Sequence, residues 1–336
     1  MIFRQMYDSE TSTYTYLLGD EKTKEAVLID SVFEQVERDA NLINELGLNL
    51  KYLMETHVHA DHITGIAKIK EKFPSAKSVL FNDSGNICAD IYSQDNDTFS
   101  FGDNNIKVLS TPGHTNGCVS FYTEGMVFTG DSLLIRGCGR TDFQNGSPEK
   151  MYDSVTSKIF TLPDETIVYP GHDYKGALSS SVAEEKKFNP RLTKTREEFI
   201  DLMNNLNLPY PKKVQESVPA NIVSGDLNYK NEFKDMSVKE AFEVYQNNPN
   251  FVFIDVREPF EWAEGCIPNV TKISLGDLDD SLDKLDKEQG YIMVCRSGGR
   301  SGKASTMLIH AGVKNVYNMV GGMIEWNRND YIVEKN

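Results

Sequence analysis

The segment Thr56-His57-Val58-His59-Ala60-Asp61-His62 constrains this chain more than any other. It places three of the six histidines and one carboxylate within six residues. Neutral imidazoles and a carboxylate bind zinc or ferrous iron, and a tight loop can aim several of them at one point. The plain alternative is a solvated turn that happens to be rich in histidine. Matching donors downstream argue against it.

Those donors recur in one setting. The apolar run Leu50–Met54 leads into the histidine cluster. Ile106–Ser110 leads into Thr111-Pro112-Gly113-His114, Met126–Thr129 into Gly130-Asp131, and Thr166–Tyr169 into Pro170-Gly171-His172. Each run has strand length, so each donor sits just past a strand end, where a rigid element meets an exposed loop. Ala26–Asp30 is a further strand, and helical spacing is expected over residues 33–46 and from about Gly65 to Pro74. From about 188 to 225 the text is irregular, with Pro190, Pro209, Pro211 and Pro219.

The pattern restarts near Gly225. A capping box at Ser237 and Glu240 opens a helix to Gln246. Strand Phe251–Asp255, a short helix around Glu258–Glu264, strand Tyr291–Val294, a helix at 301–311 and a strand near Val316-Tyr317 follow. This alternation indicates an α/β domain with a mostly parallel sheet. At 336 residues the chain is too long for one ordinary core. Domains are expected at 1–225 and 236–336, with a linker at 226–235.

A net charge of −15 argues against nucleic acid or an anionic membrane as partner. The opening residues Met1–Asp8 lack the apolar core of a signal peptide, and no run has the length of a membrane span. Five scattered cysteines, Cys88, Cys118, Cys138, Cys266 and Cys295, read as reduced thiols of a cytoplasmic protein. Cys88 and Cys118 are expected in the core, and Cys138 as a structural residue of a glycine-rich loop. His310 is expected to cap or pack, and residues 277–288 to form a solvated acidic face.

His57, His59, Asp61, His62, His114, Asp131 and His172 together resemble the signature of the metallo-β-lactamase superfamily, an αββα sandwich with metal between two sheets. By residue type alone, a two-metal hydrolase and a one-metal oxygenase both remain open. The segments Leu133–Gln144, Tyr169–Tyr174, Phe188–Arg191 and Val218–Asn221 resemble the persulfide dioxygenases of the ethylmalonic-encephalopathy type. That resemblance implies one Fe(2+) per chain on His57, His114 and Asp131. His59, Asp61, His62 and His172 then orient the ligands; in the two-zinc alternative they hold a second metal. It also implies Arg140, Tyr174 and Arg191 as contacts for a glutathione-like carrier, since a guanidinium fork matches a carboxylate. The family often carries Cys where this chain has Ser224, so no thiol-dependent role is expected there.

The second candidate is Cys295-Arg296-Ser297-Gly298-Gly299-Arg300, a strand–loop–helix junction. Its backbone N–H groups, the helix N-terminus and Arg296 and Arg300 favour thiolate over thiol at Cys295. Residues 233–332 resemble a rhodanese domain, through Phe253–Glu258, the Cys295 loop and Val320–Trp326. Rhodaneses usually have His where this chain has Cys266, which is expected to be a buried small residue, with a resolving thiol as the sharper idea. The joint expectation is Fe(2+)-dependent oxidation of a small thiol persulfide by O2 to sulfite, coupled to transfer of sulfane sulfur through Cys295 among persulfide, sulfite and thiosulfate. A two-zinc glyoxalase II-type thioester hydrolase is the alternative. The thiol carrier, the direction of sulfur transfer and any homo-oligomer stay open at this point.

Overall fold

The computed structural model describes residues 1–206, 208, 213–228, 233–248 and 250–335, apart from the side chains at 279, 280, 283 and 310. The middle of the expected 226–235 linker and the His310 side chain lie outside them. The chain divides into two compact units, Met1–Leu227 and Asn228–Asn336.

In the first unit, β1 (Ile2–Asp8), β2 (Thr13–Gly19), β3 (Glu25–Ile29), β4 (Asn49–Met54), β5 (Lys77–Phe81) and β6 (Ile91–Ser93) form one sheet in sequential order. β1 with β2 and β2 with β3 pair antiparallel, and β3 to β6 are parallel. A second sheet has β7 (Thr98–Phe101), β8 (Asn104–Ser110), β9 (Val119–Thr123), β10 (Met126–Gly130), β11 (Ile167–Pro170) and β12 (Ser180–Ser181), also in sequential order. Here only β10 and β11 are parallel.

Alternation of side chains along the strands explains the layers. Val27 and Ile29 of β3 pack with Val108, Phe121 and Phe128 of the other sheet. Ala26 and Leu28, between them in sequence, face outward against Val36 and Ile43 of helix Val36–Glu45 and Ile66 and Ile69 of helix Ile66–Lys72. Val127 and Val168 turn the opposite way, onto Met151, Val155, Phe199 and Met203. Strands buried on both faces need apolar residues at every position, which is why they read as continuous runs. The result is the four-layer α/β/β/α sandwich that the sequence led us to expect.

After helix Val182–Phe188, the stretch read as irregular holds two further helices among its described residues, Arg196–Asn204 and Val214–Ile222. Thr195 and Glu198 close a capping box on the first of these two, and Pro219 sits inside the other. Prolines at Pro190 and Pro219 masked these short helices, because proline is read as a breaker.

In the second unit, β13 (Lys234–Ser237), β14 (Phe251–Asp255), β15 (Thr271–Lys272), β16 (Gly290–Val294) and β17 (Asn315–Val320) make a fully parallel sheet in the order β13-β17-β16-β14-β15. One face packs on Ala304 and Leu308, the other on Val238, Ala241 and Trp326. The Ser237–Glu240 capping box is present. Among the described residues no helix is long and apolar enough to cross a membrane.

Candidate functional site

The seven metal-type residues of the first unit all stand just past strand ends: four after β4 and one each after β8, β10 and β11. The five histidines are buried, while Asp61 and Asp131 are half-buried. His57, His114 and Asp131 each offer a ligand atom within 4.8 Å of the other two.

The ring orientations are fixed from behind. His114 Nδ1 lies 2.7 Å from the Arg140 carbonyl oxygen, which only accepts, so that nitrogen carries the hydrogen. The bare Nε2 then faces Asp131 Oδ2 at 3.6 Å. Thr56 Oγ1 donates to Asp30 Oδ2 at 2.9 Å and therefore accepts from His57 Nδ1 at 3.0 Å. This leaves His57 Nε2 bare as well. Burial, with His59 and His114 nearby, holds the His57 pKa well below the usual imidazole range, so the ring stays neutral. Asp131 Oδ1 is buried without a hydrogen-bond donor. Two bare imidazole nitrogens beside a carboxylate repel one another unless a cation lies between them, so this donor set fits a divalent metal ion.

Glycines make room for the approach. A Cβ on Gly139 would stand 2.6 Å from the Asp131 carbonyl and 2.9 Å from His114 Nδ1. Gly130, at φ +49°, lies against Thr56 in the same way.

His59, Asp61 and His62 form a second group with ligand atoms within 4.8 Å. His62 Nδ1 meets Asp61 Oδ2 at 3.0 Å, and its Nε2 is buried without a partner. His172 Nε2 stands 3.6 Å from both Asp61 Oδ2 and Asp131 Oδ1. Burial raises Asp61, but His172 and His62 outweigh it and hold that carboxyl well below its ordinary range. Burial lowers His172, and Asp131 and Asp61 reverse the sign.

Three residues at the site were given no role by the sequence reading, although Asn221 closes one of the segments that carry the family resemblance. Asp30 follows directly on β3 with φ +53°, and its carboxylate takes Thr56 N–H at 2.7 Å. Glu55 and Asp30 hold His59 Nε2 at 3.1 and 3.3 Å. Burial opposes the charge on His59, but Asp30 and Glu55 raise its pKa well above the usual range. Asn221, on an unexpected helix, clamps the loop: its Nδ2 donates to the carbonyls of His59 and His62 at 2.9 and 2.8 Å. Asp30 and Glu55 also follow apolar strands, which is the signal that marks the other donors.

Arg140 forks onto Asp142 at 2.6 Å through two nitrogens and lies 5.0 Å over the Phe143 ring, which meets His114 edge-on. Tyr174 is 72% exposed and stacks on His172 with centroids 6.0 Å apart. Arg191 is differently placed. It is half-buried, and its Nη1 donates to the Cys138 carbonyl at 2.9 Å, bracing the loop that carries Arg140. Cys118 and Cys138 are buried, which pushes their thiols up to about 12 and about 11, whereas Cys88 is only half-buried rather than core.

In the second unit Cys295 follows directly on β16 and is buried. Gly298 N–H donates to Cys295 Sγ at 3.1 Å, and helix Gly299–His310 begins there. Gly322, at φ +53°, sits where a Cβ would be 2.4 Å from the Cys295 carbonyl, and so lets Met323 N–H reach that oxygen at 2.9 Å. Arg300 forks onto Glu261 at 2.6 and 2.7 Å, while Arg296 is exposed. Cys266 is fully buried and bridges Glu334 through backbone hydrogen bonds of 2.9 and 2.8 Å.

The sequence pattern of the metallo-beta-lactamase superfamily matches residues 9–78 and 90–172, and that of the rhodanese-like domain matches residues 226–329. The mitochondrial persulfide dioxygenase ETHE1 of Mus musculus is 51% identical over 227 residues, covering 67% of this chain and 89% of that protein. The crystal structure of ETHE1 from Myxococcus xanthus superposes with a TM-score of 0.66 at 54% identity, over 67% of this chain and 100% of that one. A metallo-beta-lactamase structure from Staphylococcus aureus covers 95% of this chain and 99% of its own with a TM-score of 0.62; at 24% identity that likeness is one of fold. The site described above therefore has relatives with a named chemistry, and the chain belongs to the persulfide dioxygenase family of the metallo-β-lactamase superfamily, with a rhodanese-like domain following.

Proposed function

We propose that this chain oxidises a low-molecular-weight thiol persulfide, such as glutathione persulfide, and that its second domain moves sulfane sulfur through Cys295. Persulfide, O2 and water give thiol, sulfite and two protons. The observation that carries this reading is the pair of bare Nε2 atoms on His57 and His114 beside Asp131, in a chain 51% identical over 227 residues to the ETHE1 persulfide dioxygenase of Mus musculus. His57, His114 and Asp131 would hold a ferrous ion, which would supply the single-electron chemistry that O2 requires.

The rest of the work belongs to the chain. The Arg140 carbonyl and Thr56 hold the two rings in the tautomer that binds. Asp30 and Glu55 keep His59 fixed behind them. Arg140 and Tyr174 receive the carrier, whose carboxylate takes the place of Asp142 on the Arg140 fork. Arg191 contributes by bracing the loop.

In the second domain the Cys295 thiolate attacks the outer sulfur of a persulfide. The sulfur–sulfur bond to the carrier breaks, and the carrier leaves as a thiolate. Sulfite then takes the sulfane sulfur from Cys295 and leaves as thiosulfate. Gly298 N–H and the helix N-terminus stabilise the charge on sulfur at each stage. Sulfite is the product of one domain and the acceptor of the other, which gives the fusion its logic.

The test is metal content together with O2 uptake on glutathione persulfide, in protein purified with and without air. One iron per chain, with uptake lost in His114→Ala, is expected. A two-zinc thioester hydrolase is the second reading, favoured by His59, Asp61 and His62 beside His172. Two zincs, no O2 uptake and thioester cleavage would establish it instead.

A further inference from the structure

Ser301 lies in the first turn of helix Gly299–His310 and is fully buried. Its Oγ stands 3.3 Å from Cys295 Sγ, 3.1 Å from the Gly298 carbonyl and 2.6 Å from Asn318 Oδ1. A hydroxyl has a single hydrogen for these three acceptors. Asn318, on β17, pairs across the sheet with Asp235 of β13, and its Nδ2 donates to Asp235 Oδ1 at 3.0 Å. A carboxylate only accepts, so the amide must turn its nitrogen to Asp235 and its oxygen to Ser301. That oxygen, at the shortest of the three distances, takes the Ser301 hydrogen. Ser301 then presents a lone pair to the sulfur, and Gly298 N–H is left as the donor that faces Cys295.

We propose that Asn318, held by Asp235, competes with Cys295 for the Ser301 hydrogen, and that this competition limits how much thiolate Cys295 supplies. When negative charge develops on the sulfur, the hydroxyl hydrogen rotates from Asn318 to Cys295 without moving any heavy atom. Among the described residues, other charges near the loop include the exposed Arg296, the Arg300–Glu261 pair with Glu258 in its field, and the buried Arg257–Asp255 pair. Arg300 and Arg257 find their hydrogen-bond partners away from Ser301 Oγ, in the carboxylates of Glu261 and Asp255 and the Gly265 carbonyl. Asn318 and Asp235 are thus positioning residues that act on the sulfur only through Ser301. The idea rests on the sulfur-transfer reading for its purpose, but its test does not need that reaction.

The experiment is alkylation of Cys295 by iodoacetamide in the full chain at one neutral pH, followed by peptide mass spectrometry. Thiolate absorbance in the ultraviolet, referenced to Cys295→Ser, is the second readout. Asn318→Val is expected to raise the alkylation rate about tenfold, the effect of one charge-assisted hydrogen bond to sulfur. Asp235→Ala, at an exposed edge position that folding tolerates, is expected to raise it roughly threefold by loosening the amide. Ser301→Ala lowers the rate, Ser301→Thr restores it, and Ser301→Ala combined with Asn318→Val matches Ser301→Ala alone. Unchanged rates in both Asn318→Val and Asp235→Ala overturn the proposal. So does acceleration by Asn318→Val in the Ser301→Ala background. Absence of thiosulfate formation alongside the expected alkylation pattern would count against the sulfur-transfer reading and leave the network standing.

Discussion

The two candidate centres both follow strand ends, yet they are built with opposite polarity. Around His57, His114 and Asp131 the N–H groups point outward, to the Arg140 carbonyl and Thr56, and lone pairs converge inward. Around Cys295 the donor of Gly298 points inward at the sulfur. The first arrangement suits a cation and the second an anion. A cation site can therefore be spelled by side chains, which sequence displays. An anion cradle is spelled by backbone, which sequence displays only through glycines.

The largest expected effect separates the two. His114→Ala should lower O2 uptake by roughly a hundredfold or more, since a ligand outweighs the residues that orient it. The same variant should keep thiosulfate formation from supplied persulfide and sulfite. Cys295→Ser should do the reverse. Assaying both reactions on both variants checks this, and loss of both reactions in either variant would break the division between centres.

Next is Asp30, the carboxylate behind both His57 and His59. Asp30→Asn keeps the shape but removes the charge, and its amide can point a donor at Thr56 Oγ1, which now donates. Metal affinity should fall by about 10–100-fold, as is usual when such a supporting carboxylate is lost. Titration with a competing chelator measures it. An unchanged affinity would mean that the Thr56 hydroxyl orients His57 unaided.

A matched pair of glycines sharpens the comparison. Gly139→Ala forces a methyl into Asp131 and His114, and Gly322→Ala forces one into the Cys295 carbonyl. Each should destabilise its own domain by about 1–3 kcal/mol. Gly139→Ala should also release metal, whereas Gly322→Ala should leave metal content alone and slow Cys295 alkylation. Thermal unfolding with metal analysis and alkylation on both variants reads the four outcomes. Metal loss in Gly322→Ala would contradict the independence of the two centres.

What the sequence displayed follows the same division. The seven metal-type residues were legible because histidine is scarce in this chain and the strands before them are unbroken apolar runs. Asp30 and Glu55 carry the same positional signal, but carboxylates are common, and only three-dimensional proximity to His59 distinguishes them. The clamping role of Asn221 was hidden because Pro219 made its helix look like a loop. The Cys295 loop was legible from its glycines. Its Asn318–Asp235 support was not, since it depends on the parallel register of β13 and β17, which no local pattern specifies.

The smallest expected effect concerns Arg300. Its guanidinium is within electrostatic reach of Cys295 but is taken up by Glu261, whose carboxyl the Arg300 hydrogen bond holds below the usual range. The pair is partly exposed, so its net strength is modest. Glu261→Gln releases the positive charge toward the sulfur and should quicken Cys295 alkylation about twofold at low salt. Added salt should erase that gain, because the field of a half-exposed charge is screened within about 10 Å at ordinary ionic strength. The gain from Asn318→Val should survive salt, because a buried hydrogen bond is not screened. Measuring both variants across a salt series distinguishes a field acting on the sulfur from a hydrogen bond made to it. If Glu261→Gln leaves the low-salt rate unchanged, Arg300 contributes nothing to the cradle, and its backbone donors with Ser301 account for the reactivity alone.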